Sequence, residues 1–119
     1  MRMWNTYPRY MCRQHLLGEH CELHMFAGII ARRKSISGYV EKNLVEPESI
    51  RRRHAELVIE MERRGYKHSS LLKPLINLDL LPLKELHYRL DEKKACAELL
   101  KRCPRCKESF ENPRNIFIK

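Results

Sequence analysis

The sequence predicts an all-α protein, a single-domain compact bundle of three main helices with an irregular C-terminal tail. Apolar residues recur with a period of 3.6 residues in three segments, and no segment has the two-residue alternation of a strand. The chain has 119 residues, of which 43% are hydrophobic, which is enough for one modest core. We therefore expect residues 1–119 to form one domain with at most one active or binding site.

Residues typical of helix ends indicate where two of the three helices begin and end. The first is predicted to begin after Pro8 and to end near Lys34, before a Ser-rich stretch. The second begins at Pro47, which is favoured in a first turn, and ends before Gly65. The inward positions of these two helices, at helical spacing, are Cys12, Leu16, Leu23, Phe26, Ala27, Ile30, Ile50, Leu57, Val58 and Met61.

The third helix is predicted to run from Pro82 to about Arg102, after a loop over residues 68–81. Its inward positions are predicted to be Leu83, Leu86, Leu90, Ala97 and Leu100. The remaining segment, CPRCKESFENPRNIFIK, has no regular period. We expect it to be irregular and either to lie on the bundle or to bind a ligand.

The chain is strongly basic. It has 24 Lys and Arg residues against 15 Asp and Glu residues, a formal charge of +9. An excess of this size favours a polyanionic partner, although a well-solvated surface is the alternative interpretation. The longest apolar stretch, residues 25–31, is too short to span a bilayer, and the first ten residues lack the apolar run of a signal peptide. We expect a cytoplasmic, intracellular protein.

Several polar residues share one sector of the first helix. Gln14, His15, Gly18 and Glu22 fall beside its apolar stripe. Glycine inside a helix costs roughly 1 kcal/mol against alanine, which suggests that a ligand or another backbone comes close to Gly18. Glu22 is then a candidate general base. Alternatively, Glu22 and His15 pair with each other or with a basic side chain, and Gly18 permits a close helix crossing.

Four blocks of the sequence have counterparts, in the same order, in one enzyme family. These blocks are QHLLGEHCEL, FAGIIARRK, RRRHAELVIEMERRGY and RLDEKKA. Over most of its length the chain resembles the phage-type pyrimidine-dimer DNA glycosylases and abasic-site lyases, known as endonuclease V. In that family the N-terminal α-amine is the nucleophile and a glutamate of the first helix is its partner. The resemblance assigns these roles to Met1 and Glu22, and it implies that Arg2 holds the phosphate next to the lesion.

An α-amine suits this chemistry. With a pKa near 7.7–8.0, about a tenth of an α-amine is neutral at pH 7, hundreds of times more than for lysine. A neutral amine can attack C1′ of a damaged nucleotide, expel the base and form an iminium ion. Glu22 can then take the acidified C2′ proton, so that the 3′ phosphate leaves by β-elimination. Because Arg2 disfavours removal of an initiator methionine, Met1 is expected to keep a free amine.

The expected function is therefore that of a bifunctional DNA glycosylase and lyase on ultraviolet-induced pyrimidine dimers, monomeric and without a cofactor. Gln14 and His15 are expected to hold the opened sugar or a phosphate. About half of a set of eight basic residues are expected to bind phosphates of double-stranded DNA, and the others are expected to be solvated helix faces. The set is Arg32, Arg33, Lys34, Arg51, Arg52, Arg53, Arg63 and Arg64. The alternatives are the same chemistry on other damaged bases or abasic sites, and a non-catalytic basic helical module that binds nucleic acid.

The chain departs from the family pattern in places that bear on the choice of lesion. Two family arginines of the first helix fall on Cys21 and Met25, and the aromatic, basic tail of the family is replaced. The aromatic residues that could supply stacking, or that simply fill the core, are Trp4, Tyr7, Tyr10, Phe110 and Phe117. The resemblance therefore predicts the reaction mechanism more closely than it predicts which lesion the enzyme prefers.

The five cysteines do not form a complete metal motif in the sequence. Cys103 and Cys106 make a C-x-x-C, and Cys96 lies seven residues earlier. Zinc usually takes four ligands, so His87 or an exposed carboxylate would have to complete such a site. A disulfide is a further alternative. We expect no metal and free thiols, with Cys96, Cys103 and Cys106 as the weaker possibility.

Overall fold

The computed structural model describes residues 1–112. In this part of the chain every regular element is a helix, which confirms the predicted all-α class, and there are about four main helices. The helices are α1 (Arg13–Ala31), α2 (Ser37–Glu41), α3 (Ile50–Arg63), α4 (Leu83–Leu86), α5 (Glu92–Arg102) and α6 (Pro104–Glu111). Short 3-10 turns occupy Pro8–Tyr10, Pro47–Ser49 and Leu78–Leu80. None of the helices in the described residues is long and apolar enough to cross a membrane.

The prediction of one continuous third helix is wrong. This region forms two helices, α4 and α5, because Asp91 caps the start of α5 by accepting a hydrogen bond from Lys94 N. The break changes which residues point inward. Ala95 and Leu99 are buried, whereas Ala97 is exposed and Leu83 is 70% exposed.

The tail and the start of the first helix also differ from prediction. Residues 104–111 are helical rather than irregular, because Pro104 suits a first turn and the Cys103 side chain accepts a hydrogen bond from Cys106 N. Cys12 caps α1 in the same way through His15 N. Pro8–Tyr10 forms a separate turn before α1.

The core lies between α1, α3, α5 and an extended N-terminal segment. Its largest apolar residues include Leu16, Leu23, Phe26, Ile30, Ile50, Leu57 and Leu99. The N-terminal segment, residues 2–5, is itself buried, and Met3 N donates a hydrogen bond of 2.7 Å to Leu44 O. The beginning of the described chain is therefore part of the core.

Arg53 of α3 is almost completely buried, with 1% of its surface exposed. Its guanidinium makes a two-pronged ion pair with Glu19 of α1, with Nε–Oε2 and Nη2–Oε1 distances of 2.7 and 2.8 Å. Its Nη1 donates to Thr6 O at 2.6 Å, and Glu19 also accepts from Asn5 N at 3.3 Å. One ion pair thus ties α1, α3 and the N-terminal segment together.

Arg64, just after α3, has a similar position. Its Nε donates to Glu60 Oε2 at 2.7 Å, and its Nη2 donates to Met11 O, also at 2.7 Å. The prediction that Arg53 and Arg64 bind phosphates is therefore wrong, because both guanidinium groups are buried among acceptors of the chain itself. Charges are tolerated at such depth only when they are paired.

Four histidines meet between α1, α3 and the following loop, and we call them the histidine cluster: His20, His24, His54 and His68. Nε2 of His20 lies 2.9 Å from Nε2 of His68, and Nε2 of His54 lies 3.2 Å from Nε2 of His24. In each pair one neutral ring can donate and the other accept. Burial, followed by the neighbouring histidines, lowers the pKa of His20 to about 4. Burial also lowers the pKa of His24, which Lys73 faces, and that of His54.

We expect the histidine cluster to make stability depend on pH. Because the pKa of His20 is lower in the folded chain than the usual 6.5, the unfolded chain binds more protons between these values. The free energy of unfolding should therefore fall as the pH drops below about 6.5. Urea unfolding of the His20→Gln variant should show a smaller fall than the unchanged protein. His87→Gln, at an exposed histidine beside Glu48, is the control and should keep the full fall. Equal pH dependence in all three proteins would contradict this role.

Arg53→Met should lower the free energy of unfolding by about 3–5 kcal/mol, because it leaves Glu19 buried without its partner. Arg52→Met, at the neighbouring exposed arginine, should change it by about 1 kcal/mol or less. The double variant Glu19→Gln/Arg53→Met should recover part of the loss. Urea titration measures all three, and a small effect of Arg53→Met would show that the pair does not hold the fold.

Candidate active site

An amine and a carboxylate meet at the start of the chain. The Met1 α-amino nitrogen lies 3.6 Å from Glu22 Oε1, and Arg2 N donates a hydrogen bond of 2.9 Å to the same oxygen. Glu22 is 25% exposed, so the pair is neither buried in the core nor fully in solvent. The structure thus brings together the two residues to which the sequence assigned the chemistry.

Two glutamates one turn apart on α1 position the N-terminal segment. Glu19 lies deeper and accepts a hydrogen bond from Asn5 N, while Glu22 lies nearer the surface and accepts one from Arg2 N. Met3 N is fixed between these points by its bond to Leu44 O. The segment is therefore anchored by its backbone, and this leaves the terminal amine beside Glu22.

Gly18 leaves space next to the Glu22 carboxylate. A Cβ atom at Gly18 would lie 3.9 Å from Glu22 Oε2 and within 4 Å of no other described group outside its own helical turn and chain neighbours. Among the described residues, no atom of another element lies within 4 Å of a Cβ placed here, so the close-crossing interpretation of this glycine has no contact to support it. Glu22 Oε2 is the nearest group to the position that Gly18 leaves without a side chain.

Clefts that contain basic side chains lie near both ends of α1. Near its start, Gln14 is exposed and lines a shallow cleft together with Arg13, Leu17 and Arg105. Towards its end, a second cleft is lined by His24, Met25, Gly28, Ile29, Arg32 and Lys73. Nineteen helical steps separate Arg13 from Arg32, or about 28 Å along the axis. Basic side chains therefore lie towards both ends of α1, and Glu22 lies between them along the helix axis.

The predicted basic residues at the end of α1 are exposed. Arg32, Arg33 and Lys34 lie on the surface, and none makes an ion pair with another residue of the described range 1–112. Arg33 and Lys34 also line a cleft with Asn77 and Glu85. These three cations are available to a polyanion, and their contact with DNA stays a prediction.

The Arg2 side chain is turned inward. Its Nη1 lies 2.9 Å from Glu98 Oε2 of α5, and its guanidinium carbon lies 4.0 Å from the centre of the Trp4 ring. Burial is the main cause that lowers the pKa of Arg2. The predicted phosphate contact would require the guanidinium to leave these partners, so what Arg2 brings to the site in this structure is its backbone N–H.

His15 also lies elsewhere than its predicted role requires. Its Nδ1 is 3.1 Å from Cys12 Sγ and 3.9 Å from Cys106 Sγ, and its ring packs edge-on against Trp4. His15 and Glu22 share a sector of the helix, but they are two helical turns apart, about 10 Å along the axis. The structure therefore groups His15 with cysteines rather than with the amine.

The ligand atoms of Cys12, His15, Cys103 and Cys106 all lie within 4.8 Å of one another. The weaker possibility of a group formed by Cys96, Cys103 and Cys106 is thus corrected, since Cys96 is not a member. His87, one of the alternatives for a fourth ligand, instead contacts Glu48. A signal for the missed members was present, because Cys12-x-x-His15 has the same spacing as the C-x-x-C of the tail.

The aromatic residues divide between core and surface. Trp4 is buried, as expected for core filler. Tyr7 is exposed and stacks on Tyr10, which packs against Phe110 of α6. Phe117 lies outside the described residues.

One comparison with known proteins gave a match. The sequence model of the family described as "Pyrimidine dimer DNA glycosylase" matches residues 1–74, a span that includes Met1, Glu22, α1 and α3. Searches of curated proteins and of solved structures gave no match. Because the family match covers more than half of the 119 residues, the chain belongs to the pyrimidine dimer DNA glycosylase family.

Proposed function

We propose that the protein removes the damaged base at ultraviolet-induced pyrimidine dimers in double-stranded DNA and then cuts the strand as an abasic-site lyase. The α-amine of Met1 is the nucleophile, and Glu22 is the proton acceptor. The observation that carries the proposal is the distance of 3.6 Å between these two groups, both of which are partly exposed. One chain supplies both groups, so a monomer is sufficient.

In the first stage the neutral amine attacks C1′ of the damaged nucleotide. The new N–C1′ bond forms as the base leaves with the electrons of the glycosidic bond, and the amine nitrogen loses a proton. The nitrogen lone pair then forms a double bond to C1′ as the C1′–O4′ bond breaks, O4′ takes up a proton, and the opened sugar is an iminium ion. The negative charge of Glu22 stabilises the positive charge that develops beside it.

In the second stage the iminium ion acidifies C2′, and Glu22 takes a proton from this carbon. The electrons of that bond form a C2′–C3′ double bond, and the 3′ phosphate leaves. Water then releases the amine. The two oxygens of Glu22 can have different roles, because Oε1 accepts a hydrogen bond from Arg2 N while Oε2 lies on the side of Gly18, which has no side chain.

The exposed face of α1 is the proposed DNA surface. Arg32, Arg33 and Lys34 at its end, and Gln14 near its start, would contact the backbone on the two sides of the lesion. A span of about 28 Å corresponds to about eight base pairs at 3.4 Å each. A flipped nucleotide would reach the amine between these contacts.

A second candidate is the same chemistry on other damaged bases or on abasic sites. It is favoured by the surface beside Glu22, where Cys21 is exposed and Met25 is 55% exposed. These groups offer a photoproduct neither charge nor a strong hydrogen bond. Parallel cleavage assays on irradiated duplex and on abasic-site duplex separate the two candidates.

Borohydride reduction tests the mechanism. The protein is mixed with an abasic-site duplex and reduced, and the covalent adduct is mapped by peptide mass spectrometry. We expect the adduct on the α-amine of Met1. A lysine adduct would overturn the assignment of the nucleophile, and no adduct would favour a non-catalytic module.

The position of the nucleophile can be tested independently by extension. One residue added before Met1 should strongly depress adduct formation and cleavage, because it displaces the amine from Glu22. The same residue added after Lys119 is the matched control and should have little effect. Equal effects of the two extensions would count against a terminal nucleophile.

Glu22→Gln should leave the affinity for abasic-site DNA unchanged and lower the rate of strand cleavage by about 100-fold or more, the usual contribution of a general base. Glu62→Gln, at an exposed glutamate of α3, is the control and should cleave normally. Gel-shift titration and single-turnover cleavage measure the two quantities. Normal cleavage by Glu22→Gln would mean that the glutamate is misassigned.

A further inference from the structure

The group formed by Cys12, His15, Cys103 and Cys106, which we call the Cys3His cluster, takes no part in the proposed chemistry. It joins two parts of the chain about ninety residues apart, since Cys12 and His15 lie at the start of α1 while Cys103 and Cys106 lie at the start of α6. The three cysteines are buried and His15 is half-buried. Residues 103 and 106 also lie outside the family match over residues 1–74.

The ligand atoms of the Cys3His cluster, all within 4.8 Å of one another, lie close to the arrangement around one metal ion. Cys12 Sγ and Cys103 Sγ are 3.8 Å apart, and His15 Nδ1 is 3.1 Å from Cys12 Sγ and 3.9 Å from Cys106 Sγ. A tetrahedral zinc ion, with Zn–S of about 2.3 Å and Zn–N of about 2.0–2.1 Å, places its ligand atoms about 3.4–3.8 Å apart. A disulfide would need sulfurs about 2.05 Å apart, and the cysteines of this cluster are free thiols in the structure.

Backbone N–H groups are directed at the three sulfur atoms, as is common around metal-bound thiolates. Cys12 Sγ accepts from His15 N at 3.5 Å, Cys103 Sγ from Cys106 N at 3.4 Å, and Cys106 Sγ from Cys12 N at 3.3 Å. Each cysteine of the cluster therefore has one N–H donor directed at its sulfur. Donors of this kind stabilise negative charge on bound thiolates and orient the ligands.

The two halves of the cluster have the same local structure. In each half a cysteine caps a helix, and the second ligand lies three residues later in the first turn. This is the C-x-x-C and C-x-x-H spacing of zinc sites, reached here by two separate helix starts. Such repetition is not needed for packing alone, since an apolar pair would fill the same space.

We propose that Cys12, His15, Cys103 and Cys106 bind a structural zinc ion that fastens α6 to the start of α1. The protein supplies all four ligands, so no coordination position remains for a substrate, and the role is to stabilise the fold. The inference does not depend on the proposed function. The zinc joins the C-terminal helix to the part of the chain that carries the amine.

The metal content of the purified full chain is the first test. Mass spectrometry of metals should find one zinc ion per chain, lost in Cys106→Ser and kept in the matched controls Cys21→Ser and Cys96→Ser. His68→Gln should also keep it, which separates this site from the histidine cluster. Zinc that is lost in His68→Gln but kept in Cys106→Ser would overturn the assignment.

A second measurement serves if Cys106→Ser does not fold. Cobalt added to the chelator-treated, unchanged protein should give the sulfur-to-cobalt charge-transfer absorption and the intense visible bands of a tetrahedral thiolate site. A thiol reagent should label Cys21 and Cys96 in the zinc form and all five cysteines after chelation. Removal of zinc should lower the melting temperature by about 10 °C or more. The absence of thiolate–cobalt absorption, or equal labelling of all five thiols with zinc present, would overturn the proposal.

Discussion

The buried ion pair between Arg53 and Glu19 is the interaction on which the candidate site depends. A chain terminus is normally among the least ordered parts of a domain, and ordering each residue costs about 1–2 kcal/mol. Here Glu19 holds Asn5 N while Arg53 holds Thr6 O, so the backbone just behind the terminus is fixed from both sides. The amine therefore lies 3.6 Å from Glu22, at the end of a segment that is anchored by its backbone.

Some basic residues of the chain are buried and hold the fold together, whereas others are exposed and can meet a ligand. Arg53 and Arg64 are buried, where they neutralise Glu19 and Glu60. Binding of either arginine to DNA would leave a buried carboxylate without its partner. Arg32, Arg33 and Lys34 remain on the surface. The net charge of +9 is consequently a poor guide to which cations meet DNA, although it does favour a polyanionic partner.

Much of the fold followed from the sequence where the helical pattern is long and its ends are marked, as in α1 and α3. The split before α5 was missed because the capping role of Asp91 competes with an apolar spacing that continues through it. The burial of Arg53 and Arg64 was missed because a run of basic residues is typical of a solvent-exposed helix face. Glu22 was a candidate base from its place on the helix, whereas the role of Met1 came from the family resemblance. The link between His15 and Cys106 spans 91 positions and appears only in three dimensions.

The contact between the Met1 amine and the Glu22 carboxylate can be measured directly by zero-length cross-linking. A carbodiimide joins an amine to a carboxylate only when the two groups touch, and it leaves an amide with loss of water. After trypsin digestion, we expect Met1-Arg2 joined through Glu22 to the peptide of residues 14–32, and no such product from Glu22→Gln. If exposed lysines become cross-linked to neighbouring carboxylates while the Met1 amine does not join to Glu22, the account of the site is contradicted.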